Sequence, residues 1–136
     1  RSLLADPRGE EIKDLVNSIK KRQKFRPFAP AILKEDVNEY FTLPTAVQNT
    51  PYMQFTAACT HGKDFPAIIH HDHTSRVQTV RKTDNPGFHA LLTEWKRQTG
   101  CPILLNTSLN IKGQPIVNDR ADGKAFTNKY GVEVLG

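Results

Sequence analysis

The strongest constraint on this chain is its rhythm: stretches of helical apolar spacing alternate with short β-favouring runs, and no apolar stretch is long enough to stand alone. From Glu10 the residues Ile12, Leu15, Val16 and Ile19 repeat at helical spacing, with Glu10 and Glu11 at the start and Lys20, Lys21 and Arg22 at the end. That charge order suits the helix dipole and predicts an amphipathic helix. A second helix is expected from Asn85 and Pro86, a cap residue and a first-turn proline, through Phe88, Leu91, Leu92 and Trp95 to a stop near Gly100. A short third follows Asp119 through Ala121, Ala125 and Phe126. Between them lie the runs 31–33, 54–59, 67–69, 77–80, 103–105 and 132–135, read as strands. Helices mixed with several short strands predict an α/β (α+β) sheet protein, and the absence of repeats or a linker predicts a single domain over 1–136.

Composition narrows the function. No apolar run approaches the roughly 20 residues of a membrane span, so a membrane helix is excluded. A net charge of +5 favours acidic partners, either phosphorylated small molecules or nucleic acid. Cys59 and Cys101 lack any CxxC spacing and read as reduced thiols of a cytoplasmic protein, neither of them a nucleophile. The chain opens on Arg1 with no charged, apolar and small-residue leader, which leads to the expectation of an excised or processed piece.

Two segments carry binding chemistry. Arg26 stands in the run Arg26-Pro27-Phe28-Ala29-Pro30, just past the helix ending in Lys20, Lys21 and Arg22. Prolines fix the backbone that carries a guanidinium, and a guanidinium grips phosphate or carboxylate oxygens through paired hydrogen bonds. Downstream, the apolar run 103–105 leads into Asn106-Thr107-Ser108-Leu109-Asn110, where a ligand would lie beyond a strand's carboxyl end. The same residues also suit a turn whose side chains satisfy only their own backbone, and both readings stand at this point. Alternation puts Arg76, Gln78 and Val80 on one face of another strand. His70, His71, Asp72 and His73, with His61 nearby, invite a metal reading, but successive side chains of a strand point apart, so His71 and His73 could share an ion that His70 could not easily join. No metal site is assigned. The chain contains no Walker loop, GxGxxG, GxSxG or HExxH pattern.

The blocks Arg-Ser-Leu-Leu-Ala-Asp-Pro-Arg at 1–8, Lys20-Lys21-Arg22 with 25–30, Arg76-Val77-Gln78-Thr79-Val80, Asn85-Pro86 with 88–92, and 104–108 with Asn110 and 113–117 occur in an order that resembles a known family. They look like the C-terminal domain of the O-carbamoyltransferases that include the nodulation-factor, cephamycin and tobramycin enzymes. The resemblance implies a YrdC-like twisted mixed sheet with flanking helices. It also implies that carbamoyl phosphate and ATP, the latter with Mg2+ if a metal takes part, are converted to carbamoyl-adenylate, phosphate and pyrophosphate. An N-terminal Kae1-like metal-binding domain, absent from this sequence, would then pass the carbamoyl group to an acceptor hydroxyl. Carried over residue by residue, Lys20, Arg26 and Arg76 become catalytic candidates, and Arg22, Asn106, Ser108 and Asn110 become substrate- and phosphate-binding candidates.

Gln23, Leu109, His73, Lys112 and Gln114 depart from the family's usual residues, and none of them removes a proposed phosphate ligand. The alternative reading is a non-catalytic RNA- or nucleic-acid-binding module. Against it, Phe25, Phe28 and Phe41 do not alternate with basic residues as a base-stacking platform requires.

Overall fold

The computed structural model describes residues 1–23 and 25–135. Among the described residues seven strands and four α-helices follow in this order: β1 (Ser2–Ala5), α1 (Glu10–Lys20), β2 (Ala29–Leu33), α2 (Val37–Tyr40), β3 (Phe41–Thr42), β4 (Thr56–Cys59), β5 (Thr74–Arg76), β6 (Gln78–Val80), α3 (Pro86–Thr99), β7 (Ile103–Ser108) and α4 (Arg120–Tyr130). The strands form a four-stranded sheet in the order β1-β7-β2-β6 and a three-stranded sheet in the order β3-β4-β5. Only β2 and β6 run parallel, so the fold is a mixed α/β arrangement as the sequence predicts.

The larger sheet has two apolar faces, and the period of two is visible along each strand. Leu4, Ala31, Leu33, Val80 and Leu104 belong to one cluster with Leu92, Phe88 and Trp95 of α3. Their neighbours Leu3, Ile32, Ile103 and Leu105 belong to the main core, with Val16 of α1 and Phe126 of α4. The central strand β2 is therefore buried at every residue, which explains its unbroken apolar sequence. Leu92 is fully buried against the sheet. Leu92→Ala is expected to destabilise the protein by about 2–5 kcal/mol, seen as a lower midpoint in chemical or thermal unfolding.

The helix ends follow their sequence signals. Asn85 caps α3 by accepting from the Phe88 N–H at 3.1 Å, and Gly100 ends it with φ of 74°. Asp119 caps α4 by accepting from the Asp122 N–H at 2.9 Å, and the helix runs the full 11 residues to Tyr130. Within α1, Val16 is buried and Ile12 and Ile19 pack against the core, whereas Leu15 is exposed.

Two expected strands are absent. Residues 66–68 form a turn instead, although Ala67 and Ile68 are wholly buried. Their carbonyls accept from the Phe28 N–H at 3.0 Å and the Ser75 hydroxyl at 2.6 Å, so this apolar run fills the core without joining a ladder. Residues 132–135 carry no strand either, and Val132 and Val134 pack against the main core. The strands β1, β3 and β5 lie outside the runs read as strands, and 54–59 shortens to β4. The run 77–80 divides at Val77, where the chain leaves the smaller sheet and enters the larger one.

Candidate functional site

Register places the chemistry at one end of the larger sheet. Ser2 pairs with Ser108, Ala29 with Asn106, and Ala31 with Gln78. At that end β7 finishes while β1, β2 and β6 all begin, so the expected position beyond a strand's carboxyl end holds for β7 alone. The turn after α1 delivers the cations. Lys21 adopts a left-handed φ of 52° and caps the helix, its N–H donating to the Ser18 carbonyl at 3.2 Å, while the Arg22 N–H donates to the Asn17 carbonyl at 2.9 Å. A non-glycine residue in this conformation costs on the order of 1–2 kcal/mol, and here it turns the chain so that Arg22 and Arg26 meet the sheet end.

Two cavities adjoin there. The larger, about 520 Å³, is lined by Arg22, Arg26, Arg76, Gln78, Asn106 and Ser108, with Pro51, Tyr52 and Met53 on another wall. The smaller, about 340 Å³, is lined by Lys20, Gln23, Asn110 and Lys112 and shares Arg22, Arg26 and Ser108 with the first. All seven candidate residues from the sequence, Lys20, Arg22, Arg26, Arg76, Asn106, Ser108 and Asn110, line one cavity or both.

Four cations elsewhere pair with carboxylates: Arg8 with Asp6, Arg81 with Asp84, Lys96 with Asp36 and Arg97 with Glu94. Arg22, Arg26 and Arg76 pair with no carboxylate among the described residues. Burial depresses the Arg22 pKa, and the charges of Arg26 and Arg76 depress it further. Its guanidinium carbon sits 4.9 Å from the centre of the Phe28 ring, and its buried Nε has no hydrogen-bond partner among the described residues. Like charges held together without counterions favour an anion in the space between them.

Lys20 is placed differently. Only 4% exposed, its ammonium donates to the Ser108 carbonyl at 2.5 Å and to the carbonyl and Oδ1 of Asn110, both at 3.0 Å. The Ser108 hydroxyl donates to the same Oδ1 at 2.6 Å, and the Asn110 amide nitrogen donates to the Gln114 carbonyl at 3.0 Å. Lys20 therefore fixes the 108–110 loop from beneath, which answers the sequence ambiguity: these side chains do satisfy the local backbone, and they line the smaller cavity as well.

Burial, and then the nearby charge of Arg22, push the Lys20 pKa down to about 8 from its ordinary 10.5. Between about 8 and 10.5 the folded chain has released this proton and the unfolded chain still holds it. The unfolded state then binds more protons, so stability rises with pH through that window. Affinity for an anion falls over the same window, because the site loses a charge. Thermal unfolding and phosphate titration across it are expected to move in opposite senses.

Sequence reasoning missed the 50–54 loop. Thr50 is fully buried; its N–H donates to Thr79 Oγ1 at 2.7 Å and its hydroxyl to the Val77 carbonyl at 3.1 Å. Gln54 Oε1 accepts from the Tyr52 N–H at 2.9 Å. The loop thus pins itself to the point where the chain changes sheets, yet leaves the Tyr52 side chain 85% exposed. Pro51 is the one turn signal that the sequence carries there, and Met53 adopts a left-handed φ of 55°.

The histidines do not converge. His70 Nδ1 lies 3.1 Å from Thr74 Oγ1 and His61 Nδ1 lies 2.9 Å from Thr60 Oγ1; among the described residues no group of three or more His, Cys, Asp or Glu could hold a metal ion. Burial raises the pKa of both Cys59 and Cys101, which disfavours the thiolate form. Phe28 and Phe41 are core residues, which leaves Phe25 as the exposed ring of that trio. No helix among the described residues is long and apolar enough to cross a membrane.

The family described as Carbamoyltransferase C-terminus matches residues 1–136. The chain belongs to this family. It is 44% identical over 125 residues to Nodulation protein NolO of Bradyrhizobium diazoefficiens, covering 90% of this chain and 23% of that protein. It is 45% identical over 125 residues to Nodulation protein NolNO of Sinorhizobium fredii, covering 90% of this chain and 18% of that one. A 3'-hydroxymethylcephem-O-carbamoyltransferase of Amycolatopsis lactamdurans is 36% identical over 132 residues, 97% of this chain and 25% of the relative. This Carbamoyltransferase C-terminus chain thus spans about a quarter or less of the length of these curated relatives.

Proposed function

We propose that this chain is the carbamoyl-activating part of a carbamoyltransferase, binding carbamoyl phosphate and ATP and forming carbamoyl-adenylate. The observation that carries this reading is the trio of carboxylate-free arginines between two adjoining cavities, with Arg22 and Arg26 common to both. Two polyanions repel each other, and cations shared between neighbouring sites lower that repulsion as the reacting centres approach. Family membership and the similarity to a named O-carbamoyltransferase support the choice of a carbamoyl donor.

In the proposed sequence, water cleaves carbamoyl phosphate to carbamate and phosphate. A carbamate oxygen then attacks the α-phosphorus of ATP, forming carbamoyl-adenylate as the bond to pyrophosphate breaks. Arg22, Arg26 and Arg76 hold the phosphoryl oxygens and stabilise charge on the departing groups. Lys20 acts through the loop it fixes, setting Ser108 and Asn110. Neither cavity is lined by a carboxylate, so a Mg2+ ion would enter on the triphosphate of ATP rather than on protein ligands. Delivery of the carbamoyl group to an acceptor hydroxyl falls to a partner domain with its own metal.

Calorimetric titration of the 136-residue chain tests the arrangement. Carbamoyl phosphate and ATP are each expected to bind with unit stoichiometry, and saturation with one is expected to leave the other's site available. Mutual displacement, or no binding of either, counts against two adjoining anion sites.

A further inference from the structure

A chain of hydrogen bonds across the floor of the larger cavity has a direction that its chemistry fixes. It starts at the Pro51 carbonyl, which can only accept, and which receives a bond from Gln78 Nε2 at 3.1 Å. That bond turns the other end of the Gln78 amide, its Oε1, toward Asn106. An amide oxygen can only accept as well, so the 2.7 Å contact there must come from Asn106 Nδ2. The Asn106 amide is thereby oriented with its nitrogen engaged and its Oδ1 left over.

Asn106 and Gln78 sit on strands separated by β2, and they meet because β2 places only Ala29 and Ala31 opposite them. Larger side chains at those positions would fill the space that the two amides cross. Asn106 is 8% exposed and lines the larger cavity, and its Oδ1 has no hydrogen-bond partner among the described residues. An unpaired amide oxygen in a cavity also lined by Arg22, Arg26 and Arg76 is a poor match for phosphate oxygens, which are acceptors themselves. It suits a ligand whose anionic part meets the arginines and whose other part offers an N–H.

Resting on the reading that this cavity takes carbamoyl phosphate, we infer that Asn106 Oδ1 is the group that recognises the carbamoyl amino group, and that Gln78 is the positioning residue that keeps this oxygen facing the ligand. Asn106 then distinguishes a carbamoyl from an acetyl group, which has a methyl of similar size and nothing to donate. It also disfavours a carboxylated phosphate, whose oxygen would face another oxygen. A site built to accept a hydrogen bond rejects the analogue that lacks the donor, because the buried acceptor is left unpaired.

The test is a pair of titrations, carbamoyl phosphate and acetyl phosphate, into the wild-type chain and three variants. The wild type is expected to favour carbamoyl phosphate by about tenfold or more. Asn106→Ala and Gln78→Met are expected to bring that ratio toward one. In Gln78→Glu the new carboxylate still accepts from Asn106 Nδ2, so the ratio is expected to persist while the added negative charge weakens both ligands together. A purely structural role for either residue would lower both affinities and leave the ratio unmoved, and that result in Asn106→Ala and Gln78→Met overturns the assignment. Equal binding of the two ligands by the wild type overturns it too, while the anion-site reading stands. Failure of both ligands to bind the wild type overturns the assignment together with the reading on which it rests.

Discussion

Arg26→Ala is expected to weaken carbamoyl phosphate binding by about a hundredfold or more, because hydrogen bonds from a charged donor to a charged acceptor contribute about 1.5–3 kcal/mol each and a guanidinium makes them in pairs. The same substitution is expected to leave the unfolding midpoint unchanged or slightly raised. Arg26 pairs with no carboxylate among the described residues, and its charge presses on Arg22. Removing it relieves repulsion and breaks no ion pair. Arg81→Ala provides the contrast. That residue is paired with Asp84 at 2.7 Å, lines neither cavity, and should leave carbamoyl phosphate affinity where it was. Affinity and stability therefore part company at Arg26, which is the behaviour expected of a side chain held for a ligand rather than for the fold.

Lys20→Met is expected to have the opposite profile, with a large loss of stability. Methionine matches the length of the lysine stem but gives no hydrogen bond to the Ser108 and Asn110 carbonyls or to Asn110 Oδ1. Oδ1 keeps the Ser108 hydroxyl, so the cost falls mainly on the two carbonyls, and about 3 kcal/mol follows from leaving such groups unpaired. For a chain of this size that corresponds to a fall of roughly 10 °C in thermal midpoint. Anion binding should fall as well, since the 108–110 loop that lines the smaller cavity loses its support. A variant with wild-type stability and reduced affinity would instead make Lys20 a direct ligand of the anion.

Local rules were enough to read the three long helices, though not the four-residue α2. Asn85 with Pro86, Asp119, and Gly100 are signals that act within one turn, and each marks a helix end in the structure. The strands were harder because short apolar runs are ambiguous between ladder and core. Residues 67–69 are as apolar as 103–105 but join no ladder, and burial with single hydrogen bonds from Phe28 and Ser75 holds them. Conversely, β1 carries only four residues and owes its existence to the register with β7, a contact across the whole length of the chain. Of the cations, Arg26 was marked by the prolines around it, whereas Lys20, Arg22 and Arg76 were named through the resemblance to the O-carbamoyltransferases. The floor was only partly legible: alternation put Gln78 beside Arg76, but its bonds to Asn106 and Pro51 depend on small residues in β2 and on a loop anchored by Thr50.

Convergence of Arg22, Arg26 and Arg76 on one bound anion is the central claim, and nuclear magnetic resonance of arginine Nε–H groups during a titration with carbamoyl phosphate tests it most directly. The three resonances are expected to shift together along a single binding curve, while those of Arg8, Arg81 and Arg97, already held by carboxylates, stay in place. Shifts spread evenly over all the arginines, or an unmoved Arg26, would contradict the account.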